Sequence, residues 1–179
     1  MNHYRFIKYL GRGASGFTLV ELIALLVVVG ILAFAVSIGI QSALASFRLN
    51  AASAKILSDI RYAQHQARAR NGWYGVRFQA NPTNRYNVYF TNGVSDIDLL
   101  DPAEPSAVLD VDVAARFGGT LITAVGIAAG NKVEFNPIGT PYDDKNGSPL
   151  GSDGTVTISQ GGSARTIRIV KNTGMVELQ

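Results

Sequence analysis

The chain contains no cysteine, which excludes a disulfide framework and a thiolate zinc site and leaves the compartment to be read from other features. It also lacks charge over a long interval: no Asp, Glu, Lys or Arg falls between Glu21 and Arg48. Proline is missing from Phe17 through Asn71, so no ring interrupts a helix there. Histidine is almost missing as well. His3 lies near the start, and His65 stands among arginines, a poor setting for a general base or a metal ligand. With no nucleophile–base pair or ligand cluster in view, neither an enzyme nor a cofactor is expected.

What is present begins at Gly16-Phe17-Thr18-Leu19-Val20-Glu21, followed by apolar residues from Leu22 to Ile40. As a helix, Leu22 to Ile40 would measure roughly 28 Å, about the depth of a bilayer's hydrocarbon core. Glu21 stands at the mouth of that span, and a lone carboxylate at a membrane centre costs about 2.5–3.5 kcal/mol. It needs a partner, and the isolated chain is expected to offer none nearby. An amino group released by a cut just before Phe17 is the natural candidate.

Residues 1–16 read as a processing segment. An ordinary secretory signal places its apolar run before the cut; here the run follows it and would be retained. Arg5, Lys8 and Arg12 all fall in this leader, which holds no carboxylate. Its removal takes the 16 basic residues to 13 (16 − 3), against 13 acidic ones. The mature chain would be neutral, which weakens the argument from a basic isoelectric point toward nucleic acid. A positive leader favours a cytoplasmic N-terminus and a C-terminal domain on the far side of the inner membrane. Gly11-Arg12-Gly13-Ala14-Ser15-Gly16 matches a dinucleotide-binding glycine pattern, but a membrane span follows it rather than a nucleotide fold.

The helix is expected to run on to about Asn71, for a continuous length of ~80 Å. Leu49, Ile56, Ile60, Ala63 and Ala67 recur at helical spacing and give its second half one apolar stripe. Arg61, His65 and Arg68, with Arg70 nearby, occupy the opposite face; they read as a solvated surface, or as a filament or polyanion contact. From Trp73 the period changes to two. Strands are expected at Trp73–Gln79, Arg85–Thr91, Thr120–Val125, Lys132–Asn136, Thr155–Ser159, Thr166–Val170 and Met175–Leu178. One long helix followed by crowded strands implies an α+β fold, the helix packed on a C-terminal antiparallel sheet domain. Two polar stretches are expected as connections. Asp96, Asp98, Asp101, Glu104, Asp110 and Asp112 form an acidic run read as solvated, its spacing matching no calcium loop. The segment from Pro141 to Gly154 reads as a mobile excursion. Within it Asp144, Asn146 and Asp153 are weak cation candidates, disfavoured by Lys145 and the missing bidentate glutamate.

The head of the chain resembles the type IV prepilin signal: Gly16, an aromatic Phe17, Glu21 five residues on and the apolar helix behind. The resemblance implies cleavage after Gly16 by a prepilin peptidase and methylation of the new amino terminus on Phe17. It also implies a role for Glu21 in neutralising a neighbouring subunit's amino terminus during filament assembly. Three further places make the chain similar to the GspH/FimT family of minor pseudopilins and minor pilins. They are Arg61 to Asn71 at the helix end, Val133-Glu134-Phe135-Asn136-Pro137-Ile138-Gly139, and Arg165 to Val170 with Asn172-Thr173-Gly174-Met175-Val176. The implied organisation is a cleaved leader (1–16), a helix (17–71, crossing the membrane at about 18–40) and a globular β-rich domain (72–179). The implied function is a minor pseudopilin of a type II secretion pseudopilus, single-pass in the inner membrane, with other pseudopilins or pilins as partners. The alternative is a FimT-type minor pilin engaged in pilus assembly or DNA uptake. Some FimT-type members bind DNA through a C-terminal Gly-Arg-x-Arg, and here the corresponding residues are Gly174-Met175-Val176-Glu177. Arg165, Arg168 and Lys171 remain as a possible weak polyanion contact, so nucleic acid is not the expected partner.

Overall fold

A computed structural model describes residues 16–179. The leader expected at residues 1–16, apart from Gly16, lies outside the described residues, as does most of the glycine pattern beginning at Gly11. The chain divides into two compact units, Met1–Ile40 and Gln41–Gln179.

Helix α1 spans Leu19–Ala69. Its first part is apolar enough to cross a membrane by length and composition. Residues 16–35 are all exposed, so among the described residues no face of this part is buried. In the second unit the stripe forms as the spacing requires: Leu49, Ile56, Ile60, Ala63 and Ala67 are all buried, joined by Ala52 and Ser53. Ser53 satisfies its hydroxyl on the Leu49 carbonyl at 2.7 Å, the usual way a buried serine is tolerated in a helix. The helix ends where Asn71 turns left-handed, at φ 49°. The Gly72 amide then bonds back to the Ala67 carbonyl at 3.1 Å, closing a Schellman motif.

The strands follow as β1 (Trp73–Gln79), β2 (Arg85–Thr91), β3 (Asp96–Asp98), β4 (Leu100–Asp101), β5 (Glu104–Val108) and β6 (Asp110–Asp112), then the short helix α2 (Val113–Arg116). Next come β7 (Leu121–Gly126), the helical turn α3 (Ala128–Asn131), β8 (Lys132–Phe135) and β9 (Pro141–Tyr142). The chain closes with β10 (Gly154–Gln160), β11 (Ser163–Ile169) and β12 (Val176–Leu178). One antiparallel sheet has the order β3-β2-β1-β8-β9, with β6 also pairing with β2; a second has the order β12-β11-β10-β7. The expected α+β architecture is what forms. Val76, Phe78, Tyr86, Val88, Val133 and Phe135 of the first sheet are buried in one core with the helix stripe. Val156, Ile158, Ile167, Ile169 and Val176 of the second sheet join the same core. Period-two alternation is visible in both.

Two stretches depart from the sequence reading. The acidic run is not a plain solvated connection: it builds β3 to β6, and Asp96, Asp98 and Asp110 find basic or amide partners on β1 and β2. Asp96 pairs with Arg77, Asp110 with Arg85 at 3.0 Å, and Asp98 accepts from the Asn87 amide. The segment after Pro141 is not a free excursion either. It lies over the outer face of the first sheet, with Tyr142 packed edge-on against Trp73 at 5.0 Å between ring centroids. The Lys145 ammonium donates to the Asn92 carbonyl and the Asn146 amide to the Gly93 carbonyl, both at 2.8 Å. In each case the ordering partners lie far away in sequence.

Candidate assembly surfaces

At the head of α1, Thr18 is the N-cap residue and Glu21 the third residue of the first turn. The Glu21 amide donates to the Thr18 hydroxyl at 3.2 Å, while the Thr18 amide and hydroxyl donate to the Glu21 carboxylate at 3.2 and 3.3 Å. This is a capping box, which satisfies two of the donors that any helix N-terminus leaves open. It corrects the expectation that Glu21 has no partner within its own chain. The Thr-x-x-Glu spacing carried that signal in the sequence. A carboxylate has about four lone-pair sites, so the capped Glu21 retains acceptor capacity for a cation arriving from outside. Phe17 is 82% exposed immediately before it.

The face of α1 carrying Arg61, Gln64 and Arg68 is not simply solvated. Arg61 donates to the Val176 carbonyl at 2.7 Å, Gln64 to the Gly139 carbonyl at 2.8 Å, and Arg68 to the Ile138 carbonyl at 3.1 Å. These long side chains clamp β12 and the β8–β9 turn onto the helix. Gly139 (φ 86°) and Gly174 (φ 67°) lie at the clamp, where added Cβ atoms would meet the Arg68 guanidinium and the Gly139 carbonyl respectively. Glycine is required there by conformation and by contact. His65 is exposed between the two arginines.

Two buried carboxylates organise the domain. Asp59, on the helix, accepts from the Tyr86 hydroxyl at 2.7 Å and from the Lys55 ammonium at 2.7 and 2.8 Å. Glu134, 1% exposed, accepts from the Tyr89 hydroxyl at 2.8 Å, the Lys132 ammonium at 2.9 Å and the Lys145 amide at 2.6 Å. Gly75 of β1 sits between Tyr89 and Glu134 in register. A Cβ there would lie 2.8 Å from Glu134 and 2.9 Å from Tyr89, so its absence lets the hydroxyl reach across the strand. Burial, reinforced by the Asp59 charge, pushes the Tyr86 phenol far above its ordinary range; burial and Glu134 do the same to Tyr89. Lys132 loses some basicity to burial, but its bonds to Asp144 and Glu134 outweigh this and raise it.

The cations of the closing strands are not brought together. Arg165 shares its alternation with buried Ile167 and Ile169, whereas Arg168 is on the other face of β11. Arg168 lies between Asp153 at 3.6 Å and Glu177 at 3.5 Å. Lys171 donates to the Gly151 carbonyl at 3.1 Å. The weak cation candidates are also separately occupied: Asp144 pairs with Lys132, and Asp153 accepts from the Lys171 amide at 3.0 Å. No group of three His, Asp or Glu side chains suited to a metal occurs among the described residues.

A long helix with an apolar, unburied first part and a second part serving as the spine of an antiparallel sheet domain defines a pilin-like protein. The sequence matches the family described as Type II transport protein GspH over residues 52–174, and the chain belongs to that family. Its members are structural subunits rather than enzymes. Among solved structures, the fold is similar to that of the minor pseudopilin EpsH from the Type 2 Secretion System of Vibrio cholerae. That comparison gives 12% identity and a TM-score of 0.54, covering 74% of this chain and 96% of that one. The type IV minor pilin FimU of Pseudomonas aeruginosa strain PAO1 is similar in two crystal forms. One gives 15% identity and a TM-score of 0.46, covering 73% of this chain and 87% of that one. The other gives 16% identity and a TM-score of 0.47, covering 73% and 92%. No curated protein gives a significant match to the sequence.

Proposed function

We propose that the chain is a minor pseudopilin: a filament subunit of a type II secretion pseudopilus, cleaved after Gly16, N-methylated on Phe17 and held in the inner membrane until assembly. The observation that carries this reading is the first part of α1. Its side chains through Ala35 are exposed throughout, and Glu21 is its single charge. Such a segment is stable only in lipid or among the like helices of neighbours. In a filament Glu21 accepts from the amino terminus of an adjacent subunit while keeping its cap to Thr18. The enzyme that frees that terminus is a prepilin peptidase. The domain would then lie on the periplasmic side.

Nucleic acid is not a partner this surface favours. Arg168 is offset by Asp153 and Glu177, and Arg165 faces the other way, so few phosphates could be neutralised together. The test is a deletion strain complemented with the chain. Loss of secreted folded proteins from the medium, with pili and DNA uptake intact, is expected. Intact secretion with loss of pili or of DNA uptake would replace the pseudopilus reading with the minor-pilin one.

A further inference from the structure

Where its charge-free interval ends, α1 meets three arginines. Arg48 is the first charged residue after Glu21, and no carboxylate follows Glu21 until Asp59. Arg48 and Arg116 of α2 line one recess of about 460 Å³ together with Phe47 and Phe117. Gly118 makes room for the first of them, since a Cβ there would lie 2.9 Å from the Arg48 guanidinium. Arg165 of β11 lies across the helix beside Ser46 and Asn50, and Leu49 faces the core between the two sides. All three arginines therefore meet α1 within residues 46–51, less than about two turns. They are exposed and form no ion pair among the described residues. Asp112, four residues before Arg116, is committed to the Ala115 amide at 2.9 Å as the cap of α2.

Apolar side chains share this level of the helix. Phe47 is 72% and Leu44 45% exposed, and with Ala51 they recur at helical spacing on the side away from Leu49. Exposed apolar residues beside unneutralised arginines are the composition of a helix at a headgroup boundary. There the rings enter the acyl edge while the guanidinium groups stay with phosphate. Distance agrees with this. Arg48 follows Ile40, the last apolar residue of the expected span, by eight residues, or ~12 Å of helix. The polar layer outside the hydrocarbon core is itself about 5–8 Å deep, and an arginine stem reaches over most of the remainder.

We propose that Arg48, Arg116 and Arg165 dock the domain on the membrane surface by binding the phosphates of anionic phospholipids, with Phe47 entering the acyl boundary. The proposal rests on the reading of α1 as a membrane anchor given above. A polynucleotide would need its cations in a row along one groove. These cations flank a helix on two sides at one level, which suits a charged plane that the helix itself crosses. Each cation at an anionic membrane surface favours contact by about fivefold. Three of them hold the domain against the lipid before assembly, yet the contact is weak enough to be given up when the subunit enters a filament.

The natural absence of cysteine makes the test selective. Ala115, which lines the recess, is changed to cysteine in the full chain and labelled with a small fluorescent maleimide. The labelled chain is placed singly in nanodiscs of phosphatidylcholine, with or without phosphatidylglycerol, and quenching by neutral acrylamide reads the exposure of the probe. The quenching constant should fall by about threefold or more in the anionic discs. Arg48→Gln with Arg116→Gln should return it to the phosphatidylcholine value, and Phe47→Ser should return part of it. Arg70→Gln, away from these arginines, should leave the fall intact. Equal quenching in the two lipids, or a fall that survives Arg48→Gln with Arg116→Gln, overturns the proposal. Protection that appears only when several chains share a disc assigns the face to another subunit and overturns it as well. In each of these outcomes the chain is still recovered with the discs and the anchored reading stands. A chain recovered with discs of neither lipid defeats both.

Discussion

Glu134→Ala should be among the most damaging single substitutions outside the apolar core. The side chain is 1% exposed and accepts from three donors: the Tyr89 hydroxyl, the Lys132 ammonium and the Lys145 amide. Truncation strands the Tyr89 hydroxyl beneath the loop, and an unsatisfied buried donor costs about 1–3 kcal/mol. Lys132 keeps Asp144, so the charge term falls toward the lower end of the ~3–5 kcal/mol seen when one partner of a buried pair is removed. Together these give a loss of about 4–6 kcal/mol, a large share of the ~5–15 kcal/mol that holds a domain folded. Glu134→Gln keeps an acceptor for Tyr89 and should cost only ~1–2 kcal/mol. The assay is urea unfolding of a Gln41–Gln179 fragment, with amide exchange at Lys145 as a local readout. That amide should exchange faster in both variants, more so in Glu134→Ala. A Glu134→Ala midpoint within about 1 kcal/mol of the parent, or an unchanged Lys145 amide, would refute the idea that this carboxylate binds the loop to the sheet.

Other outcomes follow from the same geometry. Tyr86 and Tyr89 keep protons in the folded state that an unfolded chain releases near pH ~10, so stability is full below that pH and falls above it, by up to ~1.4 kcal/mol per pH unit for each group. Tyr86→Phe should flatten this alkaline limb, read by urea melts across the range; an unchanged slope would show that the phenol is not held by burial and Asp59. Gly174→Ala should destabilise by more than about 1 kcal/mol, because φ is 67° and the new Cβ would collide with the Gly139 carbonyl. Thermal unfolding checks this, and a neutral result would contradict the clamp. Intact-mass measurement of the chain from cells with an active prepilin peptidase should give a protein beginning at N-methyl-Phe17. A full-length mass would remove the processing step.

The elements easiest to read from the sequence were those with one local period. The stripe from Leu49 to Ala67 was legible because burial on one side repeats every turn. Strand positions such as Val156-Thr157-Ile158 were legible because they alternate. Polar segments were misread for the opposite reason: their order comes from distant partners. Nothing local to Asp96 or Lys145 shows that Arg77 or Glu134 will meet it. Helical spacing alone puts Arg61 and Arg68 on a face that reads as solvated, or as a filament or polyanion contact. Their side chains are nevertheless long enough to reach the Val176 carbonyl of β12 and the Ile138 carbonyl of the β8–β9 turn, 115 and 70 residues further along the chain. Thr18 and Glu21 are the exception, since a capping box is local and its spacing was available to read.

Filament incorporation of Glu21→Ala tests the central claim most directly. The variant and the parent chain, each given one surface cysteine, would be produced in cells lacking the native chain and compared by cross-linking in sheared filaments and in membranes. The expected result is normal cleavage and membrane retention of Glu21→Ala, with little of it cross-linked to filament neighbours. Equal incorporation of the two chains would contradict the role assigned to Glu21 and, with it, the account of why the exposed helix carries one charge.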